Sequence, residues 1–259
     1  MAENEDRHAR LIVEQFTRQA APFAEMPIHS DAEATRLVLE TAQISAADDV
    51  LDVACGPGLI SCAVAEIARR VTGLDLTPAM IEQAEQRQRR LGLSNVAWQI
   101  GNAQHLPFAA GSFSVVMTRY SFHHLLEPAR VLAEMGRVCR AGGRVAVIDV
   151  CMQTAVQGAL YDRMEQLRDP SHIRALTWAE FQQRFAAAGL RAVRTACYAL
   201  PVDLEELLAA TRTAANAAEQ VRQIVAADMP TDALGIGATR VAGRLRFAFP
   251  IAIFVGTKP

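Results

Sequence analysis

The sequence has no apolar run approaching the ~20 residues with which a helix crosses a bilayer, so no membrane span is expected. Its opening MAENEDRHAR, charged in both signs, is unlike a secretory signal. Charge imbalance is lacking too: 26 Lys+Arg face 28 Asp+Glu, without a long basic run. Tight polynucleotide binding needs many cations against phosphates, so nucleic acid is disfavoured as a partner. Cysteine is sparse. Five residues, at 55, 62, 139, 151 and 197, form no CxxC pair and no Cys/His cluster at zinc spacing. They read as reduced thiols of a cytoplasmic protein, with no metal site. Also missing are internal repeats, low-complexity tracts and the Gly-Lys-Ser/Thr of a phosphate-binding loop.

What is present is a chain of 259 residues, 51% hydrophobic, enough for one substantial core. From 50 to 150, strand-like runs alternate with helical ones. The strands read as 50–53, 71–75, 96–100, 113–118 and 143–149; the helices lie near 59–69, 78–91 and 127–140. Links of that length carry crossover helices, which makes the sheet largely parallel. Thr77-Pro78 reads as an N-cap followed by proline at the first helical position. Amphipathic helices at 3–20 and 30–43, joined by a loop holding Pro22 and Pro27, precede this core. After it come helices at 154–168 and 177–188, the latter capped by Thr177, then a strand at 190–200. An alanine-rich helix over 203–227, a loop at 228–243 and a last strand at 245–256 complete the chain. Two late strands without a central crossover suit an antiparallel edge.

The chemistry-bearing stretch is VLDVACGPGLIS, Val50 to Ser61. A strand that ends on Asp52 and turns through Ala54, Gly56 and Gly58 brings bare backbone to the sheet edge where open α/β sheets bind ligands. A dinucleotide fingerprint would want a third glycine where Leu59 stands. An aspartate at the strand end repels a pyrophosphate and suits the cationic amino-acid end of S-adenosylmethionine (SAM). Asp75, ending the second strand, can accept both hydroxyls of a ribose, which serves NAD and SAM alike. In GNAQHLPF, the Asn102 carbonyl and the Ala103 N–H are placed to read an adenine edge, and His105 falls on the surface of that loop.

VLDVACGPG, TGLDLTPAMI, GNAQHLPF, SFSVVMTRYSFHHL and EMGRVCRAGGRVAVIDV, in that order and spacing, resemble the class I SAM-dependent methyltransferases. The nearest branch is the one typified by the ubiquinone/menaquinone-biosynthesis C-methyltransferases. The resemblance is strong over 50–150 and weaker at FTRQAAPF, RDPSHIR and IAIFVGTKP. It implies an α/β, Rossmann-like, seven-stranded, mostly parallel sheet with helices on both faces and an antiparallel last strand. It further implies that Asp52, Ala54, Gly56 and Gly58 hold the methionine end of SAM, with Arg119 beside it. Asp75 would hold the ribose, Leu76 and Met80 the adenine region, and Asn102 and Ala103 the adenine itself. Phe16 and Gln19 would sit on an N-terminal helix closing over the cofactor. Two departures are visible: Asn102 stands where Asp is usual, and Ala54 where glycine is commoner.

Residues 1–45 are therefore expected to form a helical lid on a methyltransferase domain, 46–259, with substrate-cap helices inserted at about 151–190 and 203–243. Methyl transfer needs alignment and a dry pocket, and a base only if the acceptor loses a proton. Tyr120, His123 and His124, just beyond the fourth strand, are the candidates for it. His172, with Arg168 and Arg174 around it, is a second group, the arginines being able to neutralise a substrate carboxylate. No Asn/Asp-Pro-Pro-Tyr/Phe motif of nucleic-acid amino-methylases follows strand four. A small organic acceptor methylated at C, O or N is the expectation, with a SAM-binding protein without turnover as the alternative and an NAD-linked oxidoreductase behind it. A homodimer remains open.

Overall fold

A computed structural model of the chain describes residues 2–25 and 31–259. Pro27 and the start of the expected 30–43 helix lie outside them. The helix α1 (Ala2–Glu25) and the helix α2 (Ala32–Ala42) precede the sheet. α1 runs through Pro22, where a loop was expected. Buried Ala20 and Ala24 hold its last turn down, and Arg87 donates to the Ala24 carbonyl at 2.8 Å, satisfying an end carbonyl. α2 starts on Asp31, whose carboxylate accepts from the Ala34 N–H at 2.8 Å.

The parallel strands are β1 (Asp49–Val53), β2 (Arg70–Asp75), β3 (Val96–Ile100), β4 (Phe113–Arg119) and β5 (Cys139–Met152). β7 (Arg191–Asp203) and β9 (Arg244–Thr257) complete the main sheet in the order β3-β2-β1-β4-β5-β9-β7. β9 runs antiparallel to both its neighbours, so the expected seven-stranded sheet with its reversed last strand is what forms. Two short strands, β6 (Leu176–Thr177) on β5 and β8 (Thr239–Val241) on β9, add to it. The central strands are buried on both faces: Leu51, Val115, Val116, Val145, Val147 and Ile253 have almost no exposure.

Helices α3 (Leu59–Ala65), α4 (Pro78–Leu91), α5 (Pro128–Val138), α6 (Ala155–Arg168) and α7 (Trp178–Ala187) link the strands. α3 stops short of the expected residue 69 because the Asn95 amide donates to the Ala65 and Ala68 carbonyls at 2.9 and 3.0 Å, ending the helix there. Pro78 does open α4, but the Thr77 hydroxyl does not cap it; the Thr77 N–H instead donates to Asp75. Thr177 forms a capping box with Glu180. The helix expected over 203–227 is two, α8 (Leu204–Ala210) and α9 (Ala215–Asp228). Arg212 takes φ +50° between them, and the Thr211 carbonyl turns to accept from Gln19 of α1 at 3.1 Å.

The strand order reverses between β1 and β4, which places a crevice beyond their carboxyl ends.

Candidate active site

That crevice is a cleft of about 270 Å³. Its floor comes from the ends of β1, β2 and β4, one side from the 101–105 loop, and its roof from α1 through Asp6, His8, Ile12 and Phe16. Asp52, Ala54, Gly56, Asp75, Leu76, Met80, Asn102, Ala103 and Arg119 line it, so nine of the ten expected cofactor residues meet in one place. The tenth, Gly58, does not. A Cβ there would lie 2.6 Å from the Trp98 ring and 2.9 Å from Ala84, and its φ is +74°. Gly58 lets α3 pack against α4 and β3. At Gly56 (φ +53°) an added Cβ meets nothing within 4 Å, so open space faces this turn. Ala54 holds φ +55°, a conformation costly for a residue with a side chain.

Asp52 is fully buried, and burial pushes its carboxyl up to about 7, against the opposing hydrogen bond from Ser61 and the charge of Arg119. The Ser61 hydroxyl donates to one oxygen, Oδ2. The other, Oδ1, is buried without a hydrogen-bond partner. An orphaned acid oxygen at a cleft wall is costly unless a donor from a ligand meets it. Asp75 accepts one backbone N–H on each oxygen, from Gly56 and Thr77, both at 2.8 Å. These bonds hold the carboxylate in the cleft and leave a lone pair on each oxygen. Burial raises its pKa and the backbone bonds oppose that. The Asn102 carbonyl oxygen accepts from the Gln104 N–H at 2.9 Å, closing an Asx turn that keeps one lone pair for a ligand. His105 is exposed and bonded to Arg130.

A second cavity, of about 70 Å³, lies beside the first and shares Phe16, Tyr120 and His124 with it. Here stands the histidine group. His123 Nδ1 bonds Asp149 Oδ1 at 2.6 Å; Asp149 also accepts the N–H groups of Phe122 and Val150 at 2.6 and 2.7 Å. Burial alone would lower the His123 pKa, but the charge and hydrogen bond of Asp149 outweigh it and raise it. Asp149 is correspondingly held below the usual carboxylate range despite its burial. His124 is the opposite case: burial, then the neighbouring charge of His123, pushes it down to about 3, and its Nδ1 donates to the Ser171 carbonyl at 3.1 Å. Tyr120, at φ +57°, shares a 2.6 Å hydrogen bond with the Tyr198 hydroxyl, and Arg119 lies 4.9 Å from its ring centre.

The remaining expected residues separate. Phe16 lines both cavities, whereas Gln19 lines only the second, away from the cofactor cleft it was expected to cover. Arg168 also lines the second cavity, but Glu165 already holds its guanidinium, Nε to Oε1 at 2.9 Å. His172 is buried and pairs with Asp162 at 2.7 Å, lining neither cavity. Arg174 pairs with Glu180 at the surface and also lies outside both. Among the described residues, no cluster of His, Cys, Asp and Glu could hold a metal ion.

Asp149 was missed in the sequence, although VAVIDV carries the same signal as Asp52 and Asp75: an acid ending a buried strand. Tyr198 had no such signal, because its partner Tyr120 is 78 residues away, and Glu165 reads in the sequence as one more i,i+3 helical pair with Arg168.

Comparison with known proteins agrees with this architecture. A family profile described as a methyltransferase domain matches residues 51–147. An uncharacterized methyltransferase of Bacillus subtilis, YcgJ, is 28% identical over 207 residues, covering 80% of this chain and 82% of that one. Its crystal structure superposes with a TM-score of 0.80, at 26% identity over 87% of this chain and 98% of that chain. The uncharacterized protein YafE of Escherichia coli is 30% identical over 59% of this chain and 74% of its own length. A demethylmenaquinone methyltransferase of Tropheryma whipplei is 28% identical over 55% of this chain and 60% of its own. The chain belongs to the class I SAM-dependent methyltransferases. Its cofactor is S-adenosylmethionine, and the NAD-linked alternative falls away.

Proposed function

We propose that the protein transfers the methyl group of SAM to a small organic molecule, with the cofactor in the 270 Å³ cleft. The observation that carries the placement is the buried, unpartnered Oδ1 of Asp52, which matches a cationic amino-acid end better than any phosphate. Asp52, with Ala54 and Gly56 giving close backbone approach and Arg119 beside them, would hold that end. Asp75 would take the ribose hydroxyls, Leu76 and Met80 the adenine faces, and Asn102 and Ala103 its edge. Gly58 is left out of this set; its role is packing. The bound cofactor supplies an activated methyl, and the protein supplies alignment and exclusion of water.

Residues 1–45 act in this reading as a lid. Their helix α1 is tied down by Gln19 to Thr211, Arg87 to Ala24 and His8 Nε2 to the His124 carbonyl at 2.7 Å. Residues 46–259 form the catalytic domain, capped by the helices at about 151–190 and 203–243. A near-neutral charge balance and the enclosed cavities favour a small acceptor over a nucleic acid, and the reduced thiols a cytoplasmic setting. The demethylmenaquinone methyltransferase likeness supports the C-methyltransferase branch as the family relation.

Calorimetry with SAM, S-adenosylhomocysteine (SAH) and NAD tests the placement. SAM and SAH bind and NAD does not, and Asp75→Ala weakens SAH by about 1–3 kcal/mol, the scale of a lost charged partner. Unchanged affinity in that variant removes the ribose assignment. Labelled methyl appearing in a metabolite extract separates turnover from cofactor binding alone.

A further inference from the structure

The second cavity is walled chiefly by apolar side chains, among them Val150, Leu200, Leu207, Phe249 and Ile251. Besides the Tyr161 hydroxyl and His124 Nε2, which no described residue bonds, His123 and Gln19 have unmet hydrogen-bonding capacity on it. The Asp149 carboxylate can only accept, so the His123 Nδ1 bonded to it carries the proton. In the neutral ring the lone pair then sits on Nε2, which bonds to no described residue, on a ring 15% exposed. Gln19 is 1% exposed, gives its amide N–H to Thr211, and leaves Oε1 buried without a donor. The charges on the wall already have partners: Arg168 with Glu165, His123 with Asp149, and Asp169 with the Ser171 N–H and hydroxyl. A charged ligand group would find no unmatched counter-charge. An apolar body with a weakly acidic hydroxyl fits one base, and a second donor fits the carbonyl of Gln19.

We propose that this cavity is the acceptor site, and that it takes a compact phenol or enol whose hydroxyl faces His123 Nε2 and whose second hydrogen-bond donor meets Gln19 Oε1. The proposal rests on the methyl-transfer reading above. The hydroxyl proton passes to Nε2, the oxygen lone pair forms the new C–O bond, and the pair of the broken C–S bond stays on sulfur. The proton then leaves His123 for solvent. Asp149 is a positioning residue: it fixes the tautomer and stabilises the imidazolium that forms. The other groups facing His123 are the neutral His124, the ring of His172 stacked at 5.4 Å, and the Glu165–Arg168 pair. Because the two cavities share Phe16, Tyr120 and His124, the acceptor enters beside the cofactor.

The probe is 4-nitrophenol, whose ionised form has a visible band, titrated into the SAH-loaded protein below the phenol's own pKa. Saturable binding with a phenolate band is expected, and nitrobenzene, lacking the hydroxyl, binds at least about tenfold more weakly. His123→Gln loses the band. Asp149→Asn reduces it about tenfold by removing the charge that stabilises the imidazolium, with SAH affinity unchanged. 4-Nitrocatechol, with a second donor, binds more tightly than 4-nitrophenol, and Gln19→Leu erases that advantage. No saturable binding to the SAH-loaded protein, or a band that persists in His123→Gln, overturns the acceptor assignment and leaves the cofactor cleft standing. Failure of SAH itself to bind overturns both.

Discussion

The two cavities that meet at Tyr120 are built by different means. The larger is a backbone site: Gly56, Ala54 and the N–H-anchored Asp75 present main chain and fixed carboxylates, all from turns that directly follow parallel strands. The smaller is a side-chain site. Its lining comes from α1, the segment after β4, β5, α6, β7, α8 and β9, and side chains make the site, some paired with one another and some anchored on backbone groups of distant segments. A backbone site suits a ligand shared by a whole family, since main-chain geometry survives most substitutions. A side-chain site can be respecified residue by residue, which is what differing acceptors require. The electrostatics differ accordingly: Asp52 in the first keeps a buried oxygen without a hydrogen-bond partner, while the buried charges of the second are already paired.

The sharpest way to break this comparison is to unpair a charge in the smaller cavity. Glu165→Gln removes the counter-charge hydrogen-bonded to the buried Arg168 guanidinium, leaving the charge of nearby Asp169, and should cost about 3 kcal/mol of stability in urea unfolding. A loss under about 1 kcal/mol would mean that the pair is not holding that wall together.

Next in size is Gly58→Ala. A Cβ 2.6 Å from Trp98 at φ +74° combines overpacking with left-handed strain, about 2–4 kcal/mol by thermal unfolding. If Gly58 instead served only the ligand, stability would hold and SAH affinity alone would fall.

The third test uses pH. Asp52 titrates near 7 in the free protein, above the ordinary 3.8. The folded state therefore binds this proton more tightly than the unfolded one. Its stabilising contribution is complete below about 3.8 and is lost as pH rises through about 7. A cationic ligand needs the ionised form, so SAM binding should release a proton below pH 7. Affinity should fall about tenfold per pH unit below that point. Calorimetry in two buffers of different ionisation enthalpy reads the proton; Asp52→Asn should abolish the release. Binding without release at pH 6 would separate Asp52 from the ligand.

The smallest effect sharpens the contrast by touching neither cavity. Thr177→Ala removes the capping box of α7 and should lower stability by about 1 kcal/mol while leaving SAH affinity unchanged.

The larger cavity was legible because each of its elements is local in sequence. Strand, acid, small residues and helix follow one another within VLDVACGPGLIS and again in TGLDLTPAMI, so chemistry and spacing appear together. Gly58 shows the limit even there, since ligand approach and helix packing both demand glycine and the letter is the same. Of the smaller cavity the sequence offered Tyr120, His123, His124 and Arg168 and, through the resemblance, Phe16 and Gln19, but not the partners that fix them. Asp149 lies 26 residues from His123, and Gln19 meets Thr211 across 192. The break between α8 and α9 had no proline or glycine to announce it; a contact with α1 accompanies it.

Alternating periodicities and strand-ending acids were enough to determine the parallel sheet, its reversed last strand and the sheet edge at which the cleft opens, because those features arise from short-range backbone preferences. Which histidine keeps a working lone pair, which arginine is already neutralised and which glutamine is left short of a donor were decided by tertiary structure alone. Each of those states depends on a partner brought near by folding and on how much water folding removes from around it.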